Sequence, residues 1–231
     1  MFVSKTSDKK HMLRIFSRYG EEVKDSNDAL IITARYLFDK GDFPAGKIEL
    51  NTPYESRTVE TIDSTTFLLS LGKPGSAPGG EEIKYNPDKE YTEYVTVEKK
   101  EYIYTPVFLN RFGIVLLNPP MEENKLKRLS TKIATQSVFS QIPQPVFYQV
   151  FTAESINVSM WPSGKQLPDY LSSCAIAGVA STLNGFTDKE VFVSCNGFEF
   201  FVKWLPSTNH IVISGYAEYV FSGFYYFEDF H

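Results

Sequence analysis

The segment from Asp169 to Gly185 constrains the fold more strongly than any other part of this sequence. Asp169 is a residue that caps helices well, and Gly185 is a residue that ends them. Between them, apolar or small side chains fall on nearly every face of the predicted helix, and Gly178 lies inside it. A helix that is apolar all round must be buried on all sides. We therefore expect a central helix that a β-sheet encloses.

A second capped helix is predicted near the start of the chain. Residues 26–28, Ser-Asn-Asp, all favour the N-cap of a helix, and apolar residues then recur at helical spacing. Gly41 provides the stop, so the sequence predicts a helix over residues 28–40. A third helix, with one apolar face, is predicted over residues 122–137.

Strands fill most of the remaining chain. The aromatic content is 15%, and aromatic residues, with Val, Ile and Thr, favour the half-buried surface of a sheet. The predicted strands span residues 2–4, 12–16, 47–51, 57–62, 66–71, 91–98, 102–107, 113–117, 146–151, 156–161, 190–195, 198–205, 210–214 and 219–227. Each half thus has strands, one capped helix and more strands. This pattern predicts an α/β protein of two similar domains, over residues 1–112 and 113–231.

Charge and apolar runs exclude several classes of partner. The net charge is −5, and no cluster of Lys and Arg suits a nucleic acid, so we expect none as a partner. No apolar run approaches the roughly 20 residues of a membrane-spanning helix, and the first residues lack a signal-peptide core. We expect a cytoplasmic protein that contacts no membrane. Its two thiols, Cys174 and Cys195, are then reduced core residues.

Three separated stretches resemble one enzyme family. Residues 14–37 begin R-I-F-S-R-Y-G-E-E and end A-R-Y-L, which resembles the R-I-F-N-x-D-G-S-E and A-R-Y-L motifs of diaminopimelate epimerase. Residues 158–164, V-S-M-W-P-S-G, resemble its V-x-V-W-E-R-G motif. Residues 215–223, G-Y-A-E-Y-V-F-S-G, resemble its closing G-P-A-E-x-V-F-x-G. The resemblance covers nearly the whole chain and implies two α/β domains, each with a curved mixed β-sheet around one central helix.

The chemistry that this resemblance implies uses neither a cofactor nor a metal. In the family, one cysteine thiolate removes the α-proton of an amino acid from one face, and a second thiol protonates the other face. Each thiol lies at the N-terminus of a central helix, whose dipole favours the thiolate and the carboxylate of the substrate. The resemblance therefore implies a cleft where the two helix N-termini face each other.

The positions that carry this chemistry are changed in this sequence. The two thiol positions fall on Ser26 and Leu171. Leucine has no titratable proton, and serine would need an activating base, so we expect no catalytic residues. The Glu-Arg clamp of the family falls on Pro162 and Ser163, and its Gly-Asn-Pro-His segment keeps only Asn110. The candidate ligand-binding residues of the cleft are Ser26, Asn27, Asp28, Asn110, Ser163, Ser172, Ser173 and Cys174.

Three functions remain open from the sequence. The preferred hypothesis is a catalytically degenerate relative of diaminopimelate epimerase that binds a small ligand or a protein. One alternative is a cofactor-independent amino-acid isomerase of the diaminopimelate epimerase type, which serves lysine biosynthesis, with a rearranged site. Asp25, Asp28 and Asp169 lie near the helix starts and would supply carboxylates for it, although helix capping is the preferred interpretation. The other alternative is a structural or interaction protein without a ligand, whose cleft is filled by Leu171 and Phe112.

The resemblance also bears on the oligomeric state. The chain begins after the Gly-Asn-Asp-Phe segment of the family, which supplies the opening strands of the first domain. A domain without those strands has an unpaired sheet edge, and proteins cover such edges with charge, a loop or another chain. We therefore expect a shortened first domain that dimerisation completes.

Overall fold

The computed structural model describes residues 1–5, 11–17, 19–42, 46–117, 121–162 and 168–224. The helices within these ranges are α1 Asn27–Asp39, α2 Glu123–Ala134 and α3 Tyr170–Leu183. The strands are β1 Phe2–Lys5, β2 His11–Phe16, β3 Glu22–Val23, β4 Lys47–Asn51, β5 Ser56–Thr61, β6 Thr66–Gly72, β7 Glu93–Val97, β8 Lys100–Leu109, β9 Arg111–Leu117, β10 Gln144–Thr152, β11 Ser155–Met160, β12 Glu190–Cys195, β13 Phe198–Trp204 and β14 Ile211–Tyr216.

All the described strands belong to one mixed sheet. Their order is β1-β2-β4-β5-β6-β14-β13-β12-β11-β10-β9-β8-β7, and β3 pairs with β2 beside this path. Most neighbours are antiparallel, whereas β2–β4, β9–β10 and β11–β12 are parallel. The antiparallel pair β6–β14 joins the strands near α1 to those around α3. The prediction of an α/β protein with a mixed sheet is confirmed, and the sheet runs without a break through both halves.

Helix α3 is buried on every side, as its composition predicts. Asp169 is its N-cap, and every residue from Leu171 to Leu183 is buried against strands β8 to β14. The strands approach closely, since a Cβ added to Gly113 in β9 would lie 2.6 Å from Cγ2 of Ile176. Although α3 is apolar, none of the helices in the described ranges is long and apolar enough to cross a membrane.

Helix α1 is amphipathic, and its buried face lies on the other part of the sheet. Ser26 is its N-cap, and the Oγ atom of Ser26 accepts a hydrogen bond from the backbone N–H of Ala29 at 3.3 Å. Leu30 and Leu37 are buried, whereas Tyr36 is exposed. The helix packs on β4, β5, β6 and β14, and it also contacts α3. The fold thus brings the two capped helices of the chain together.

Helix α2 lies at the surface and has one apolar face, as predicted. Leu126, Leu129 and Ile133 pack in a second core cluster together with Val95 and Phe147. This cluster lies on the other face of the sheet strands that cover α3, because β9 and β10 contribute side chains to both cores. The second core cluster thus stabilises β8 and β9, and the turn between these two strands contains Asn110.

One predicted strand is wrong. Residues 219–224 are the described part of the strand predicted over residues 219–227, and they form no strand. Their aromatic content favours a strand, but Val220, Phe221 and Phe224 are strongly exposed. The division into domains over residues 1–112 and 113–231 stays a prediction, and β9 runs across that boundary.

Candidate functional site

The N-terminal ends of α1 and α3 abut, and a carboxylate of α1 caps α3. Asp28, the second residue of α1, accepts hydrogen bonds from the backbone N–H groups of Tyr170 and Leu171. The two distances are 2.9 and 3.0 Å, one to each carboxylate oxygen. These N–H groups belong to the first turn of α3, where a helix has no internal acceptors for them.

A second carboxylate serves both helices. One oxygen of Asp169 accepts a hydrogen bond from the N–H of Ser172, in its own helix, at 2.9 Å. The other oxygen accepts one from the N–H of Asn27, the first residue of α1, at 3.1 Å. Asp28 and Asp169 therefore cap the facing helices reciprocally, and we call them the capping pair.

The capping pair occupies a position that favours anions. The free N–H groups and the dipole of a helix N-terminus together form an anion-binding site. All four N–H groups of the first turn of α3 have acceptors within the protein, because the backbone carbonyl of Asp169 accepts the fourth, from Ser173, at 3.1 Å. An incoming carboxylate would have to displace a carboxylate of the protein itself.

Two arginines bring positive charge to the helix ends. Nη1 of Arg57 lies 4.0 Å from Oδ2 of Asp25 and 3.1 Å from Oε1 of Glu55, and Nη2 of Arg111 lies 4.0 Å from Oδ2 of Asp169. With Asp28, this helix-end cluster holds four carboxylates and two guanidinium groups. The carboxylates therefore outnumber the guanidinium groups, and burial makes an unpaired charge costly.

Burial, together with this excess of carboxylates, changes the acidity of Asp28. Burial and then the negative charge of Asp169 raise the pKa of Asp28 to about 7, against the opposing effect of its two N–H donors. The same two causes raise the pKa of Asp25. Asp28 therefore takes up a proton at a higher pH than an ordinary aspartate does.

Several of the predicted cleft residues are brought together here. Nδ2 of Asn27 donates to Oγ of Ser172 at 2.7 Å, beside Asp28. Nδ2 of Asn110 donates to Oδ2 of Asp25 at 3.2 Å, at the edge of the same cluster. Their role in binding a ligand stays a prediction.

The other predicted cleft residues are placed differently. Oγ of Ser26 is engaged with its own helix, and Oγ of Ser173 donates to the carbonyl of Asp169 at 2.9 Å. Cys174 is fully buried beside Cys195, and burial raises the pKa of the Cys174 thiol well above its usual range. Ser163 lies outside the described residues. Within the described ranges, no three His, Cys, Asp or Glu side chains are grouped so that they could hold a metal ion.

The preferred interpretation of Asp28, helix capping, agrees with the structure, but the helix that Asp28 caps is α3, whereas Ser26 caps α1. The N–H donors to Asp28 are 142 and 143 positions away in the sequence. Arg57 was missed because it lies in strand β5, where nothing in the local sequence points to the helix ends. Arg111 follows Asn110 directly, so the resemblance at that segment was a usable signal for it.

Comparison with known proteins gives relatives over nearly the whole chain. No protein-family model matches. The diaminopimelate epimerase of Acetivibrio thermocellus is 26% identical over 219 residues, which cover 91% of this chain and 77% of that enzyme. The diaminopimelate epimerase of Pelotomaculum thermopropionicum is 26% identical over 219 residues, which cover 92% and 78%. The resemblance to the diaminopimelate epimerases is confirmed.

Solved structures with a similar fold extend the comparison beyond the diaminopimelate epimerases. A phenazine biosynthesis PhzC/PhzF protein from Clostridium difficile superposes with a TM-score of 0.62 at 12% identity, over 98% of this chain and 82% of that one. A hydroxyproline epimerase from Agrobacterium vitis superposes with a TM-score of 0.58 at 14% identity, over 92% and 69%. At this identity the likeness shows the fold, which this chain shares with both.

Relative to the diaminopimelate epimerases, the two thiol positions now have a structural description. Ser26 is the N-cap of α1, and its hydroxyl is used as a cap. Leu171 is 4% exposed, and its side chain packs against Gly215, where an added Cβ would lie 3.0 Å away. An apolar side chain thus stands where the resemblance implies the second thiol of the epimerases.

Proposed function

We propose that this protein is a catalytically degenerate relative of the diaminopimelate epimerases, which binds a small ligand or a protein and does not epimerise an amino acid. The observation that carries the proposal is the capping pair. Asp28 and Asp169 accept hydrogen bonds from three N–H groups of the first turn of α3 and from the N–H of Asn27 in α1. The N–H groups of a helix end are the groups best suited to hold the carboxylate of an amino acid. Carboxylates of the protein itself thus occupy the positions that a substrate carboxylate would need.

The acid–base groups support the same proposal. Epimerisation requires one group that removes a proton from one face and another that returns it to the opposite face. Leu171 has no proton to exchange, and Ser26 has an N–H donor rather than a base beside its hydroxyl. Cys174 is fully buried, and its raised pKa keeps it a thiol. Neither helix end thus presents a thiolate to the space between them.

The proposal is tested by proton exchange at the α-carbon. The folded protein is incubated in heavy water with diaminopimelate and a panel of other amino acids, and loss of the α-proton signal is followed by NMR. We expect no exchange above the rate in buffer. The diaminopimelate epimerase of Acetivibrio thermocellus serves as the positive control. Exchange that Ser26→Ala, Cys174→Ala or Asp28→Asn abolishes would contradict the proposal.

A second candidate function is an isomerase that uses carboxylates. It is favoured by the pKa of Asp28, about 7, because a catalytic acid or base works best when its pKa is near the working pH. Asp169 would be its partner across the helix ends. The exchange experiment separates the two functions, because this candidate predicts exchange that Asp28→Asn removes and Cys174→Ala leaves unchanged.

A third candidate is an interaction protein without a small ligand. It is favoured by the burial of Leu171, which fills space between the helix end and β14. Phe112, the other side chain expected in the cleft, packs instead against the ring of Phe139 at 6.3 Å. This candidate shares the absence of exchange with the main proposal and differs from it in binding no small molecule.

A further inference from the structure

A polar pocket of about 400 Å³ lies away from the capping pair, between one segment from the first half of the chain and two from the second half. One wall is the loop after β6, with Lys73, Lys84 and Tyr85. The other wall comprises Lys189, just before β12, and the turn after β13, which presents the hydroxyls of Ser207 and Thr208. We call it the basic pocket. It shares no residue with the helix-end cluster.

The charge of the basic pocket is opposite to that of the chain. Lys73, Lys84 and Lys189 line it, and among its described lining residues Glu82 is the one acid, so the local excess is two positive charges. The whole chain, in contrast, has a net charge of −5. Nζ of Lys73 pairs with Glu82 at 3.1 Å. The charge of Lys84 also acts on Glu82 from a longer distance, and Lys189 forms no ion pair within 4.0 Å with any residue that the structure describes. A concave surface lined by one sign of charge attracts ions of the other sign.

The walls are held in place before any ligand arrives. Asn209 has a left-handed backbone, with φ of 60°, and its side chain makes three hydrogen bonds. Its Nδ2 donates to Glu82 and to the carbonyl of Ile83, both at 2.8 Å, and its Oδ1 accepts from Nε1 of Trp204 at 2.7 Å. Trp204 is 3% exposed, so this network is anchored in the core. A preformed site loses little conformational entropy when it binds.

The lysine beside Tyr85 is also positioned. Nζ of Lys189 lies 4.8 Å from the centre of the Tyr85 ring, and that ring packs edge-on against Trp204 at 6.2 Å. A cation–π contact of this kind restricts a flexible lysine without neutralising it. Lys189 therefore keeps its positive charge available to a ligand.

We propose that the basic pocket binds a small phosphorylated molecule, such as a phosphate monoester or a diphosphate. Lysine binds phosphate groups well as a point charge, and a phosphate carries more negative charge than a carboxylate. The hydroxyls of Ser207 and Thr208 supply neutral donors beside the lysines. The volume of the pocket exceeds that of one phosphate group, so the ligand has room for an organic part as well. This function is separate from the proposed loss of epimerase chemistry.

The indole N–H signals in ¹⁵N NMR test this proposal directly. The chain has two tryptophans, and Trp204 is bonded to the pocket residue Asn209, whereas Trp161 packs on Phe147 elsewhere. Trp161→Phe assigns the two signals. We expect pyrophosphate, at constant ionic strength, to shift the Trp204 signal saturably and to leave the Trp161 signal unchanged. Inorganic phosphate should do the same more weakly, and succinate should not.

Matched charge variants separate a built site from general attraction. Lys84→Gln with Lys189→Gln should weaken pyrophosphate binding about tenfold or more, because two of the three positive charges that line the pocket are lost. Lys47→Gln with Lys203→Gln removes the same charge from lysines paired with Glu60 and Glu190, and should change binding less than about twofold. Thermal unfolding shows that each variant is folded. No saturable shift, equal binding of succinate, or equal losses in both double variants would each overturn the proposal.

Discussion

Asp28 combines two opposing influences at a single carboxyl group. Two N–H donors favour its charged form, whereas burial and the neighbouring Asp169 favour its neutral form and raise its pKa to about 7. The ordinary pKa of an aspartate is 3.8. As the pH falls from about 7 to about 4, the folded protein takes up this proton before the unfolded chain does. Protonation of Asp28 therefore favours the folded state, and this contribution is lost as the pH rises through about 7.

Because protonation of Asp28 stabilises the fold, the difference in stability between the wild type and Asp28→Asn should depend on pH. We expect the free energy of unfolding of the wild type, minus that of Asp28→Asn, to be larger at about pH 5 than at about pH 8. Urea unfolding at the two pH values measures it, and titrations of groups that do not interact with Asp28 cancel in the difference. A difference that does not change with pH would contradict the prediction.

Asp63 provides the control of opposite sign. The N–H groups of Thr65 and Thr66 lower the pKa of Asp63 to about 2, so its contribution to stability is present above the ordinary aspartate value and is lost only as the pH falls toward 2. The difference between the wild type and Asp63→Asn should therefore stay constant between about pH 5 and about pH 8.

At the residue scale, local capping could be read from the sequence and distant capping could not. The capping of α3 by Asp169 was predictable, because the N–H group that donates to Asp169 belongs to Ser172, only three residues further along the chain. The donors to Asp28 come from the other half of the chain, so only the fold reveals them. The charges of Arg57 and Arg111 join the cluster in the same long-range way.

At the element scale, α1 and α3 depend on each other at their first turns. Asp28→Ala would leave the N–H groups of Tyr170 and Leu171 without a protein acceptor, which should cost about 2 kcal/mol of stability. A small carboxylate should then bind the exposed helix end of this variant. We expect acetate, at about five times its Kd, to raise the free energy of unfolding of Asp28→Ala by roughly 1 kcal/mol.

Leu171→Ala is the matched control for this acetate effect. It also opens space at the first turn of α3 and should destabilise the protein, but it leaves both residues of the capping pair in place. Acetate should stabilise Leu171→Ala no more than it stabilises the wild type, with chloride keeping the ionic strength constant. An equal response of the two variants would mean that acetate does not replace Asp28.

The elements themselves were predictable where the signal was local. Helices α1 and α3 carry capping residues and a clear apolar pattern, and their observed bounds lie within about two residues of the predicted ones. Strand β3 has only two residues, which is too short for an alternating pattern. The aromatic residues after β14 favour a strand, yet a strand also needs a neighbour to bond with, and Val220 is 85% exposed.

At the scale of the whole molecule, the strand path that the structure describes ends at β1 on one side and at β7 on the other, with β3 beside β2. Each edge strand carries an exposed aromatic side chain, Phe2 at 66% and Tyr94 at 60%. We propose that β1 pairs with the β1 of a second copy, and we expect light scattering to give twice the chain mass of 26.3 kDa. Phe2→Lys should yield monomers, because lysine on an edge strand opposes pairing. Tyr94→Lys is the control at the other edge and should remain dimeric; a wild-type monomer at all concentrations would refute the pairing.

The plan of the two halves was predictable and the order of the strands was not. Strand and helix patterns repeat along the chain, which indicates two similar units, and the resemblance adds the position of each central helix. Nothing in the residues of β6 or β14 specifies that they pair with each other across about 140 intervening positions. That pairing is a result of long-range packing, which local patterns do not encode.

The β6–β14 ladder also has a consequence for how the chain is made. A ribosome delivers the chain from its N-terminus, so β6 leaves it long before Ile211–Tyr216 does. Until β14 has been made, one edge of β6 and one edge of β13 have no partner strand, because β14 lies between them in the sheet. The unfinished side of β6 is thus exposed through most of the synthesis, whereas that of β13, which directly precedes β14 in the chain, is exposed only near its end. A single late strand then completes both ladders at once.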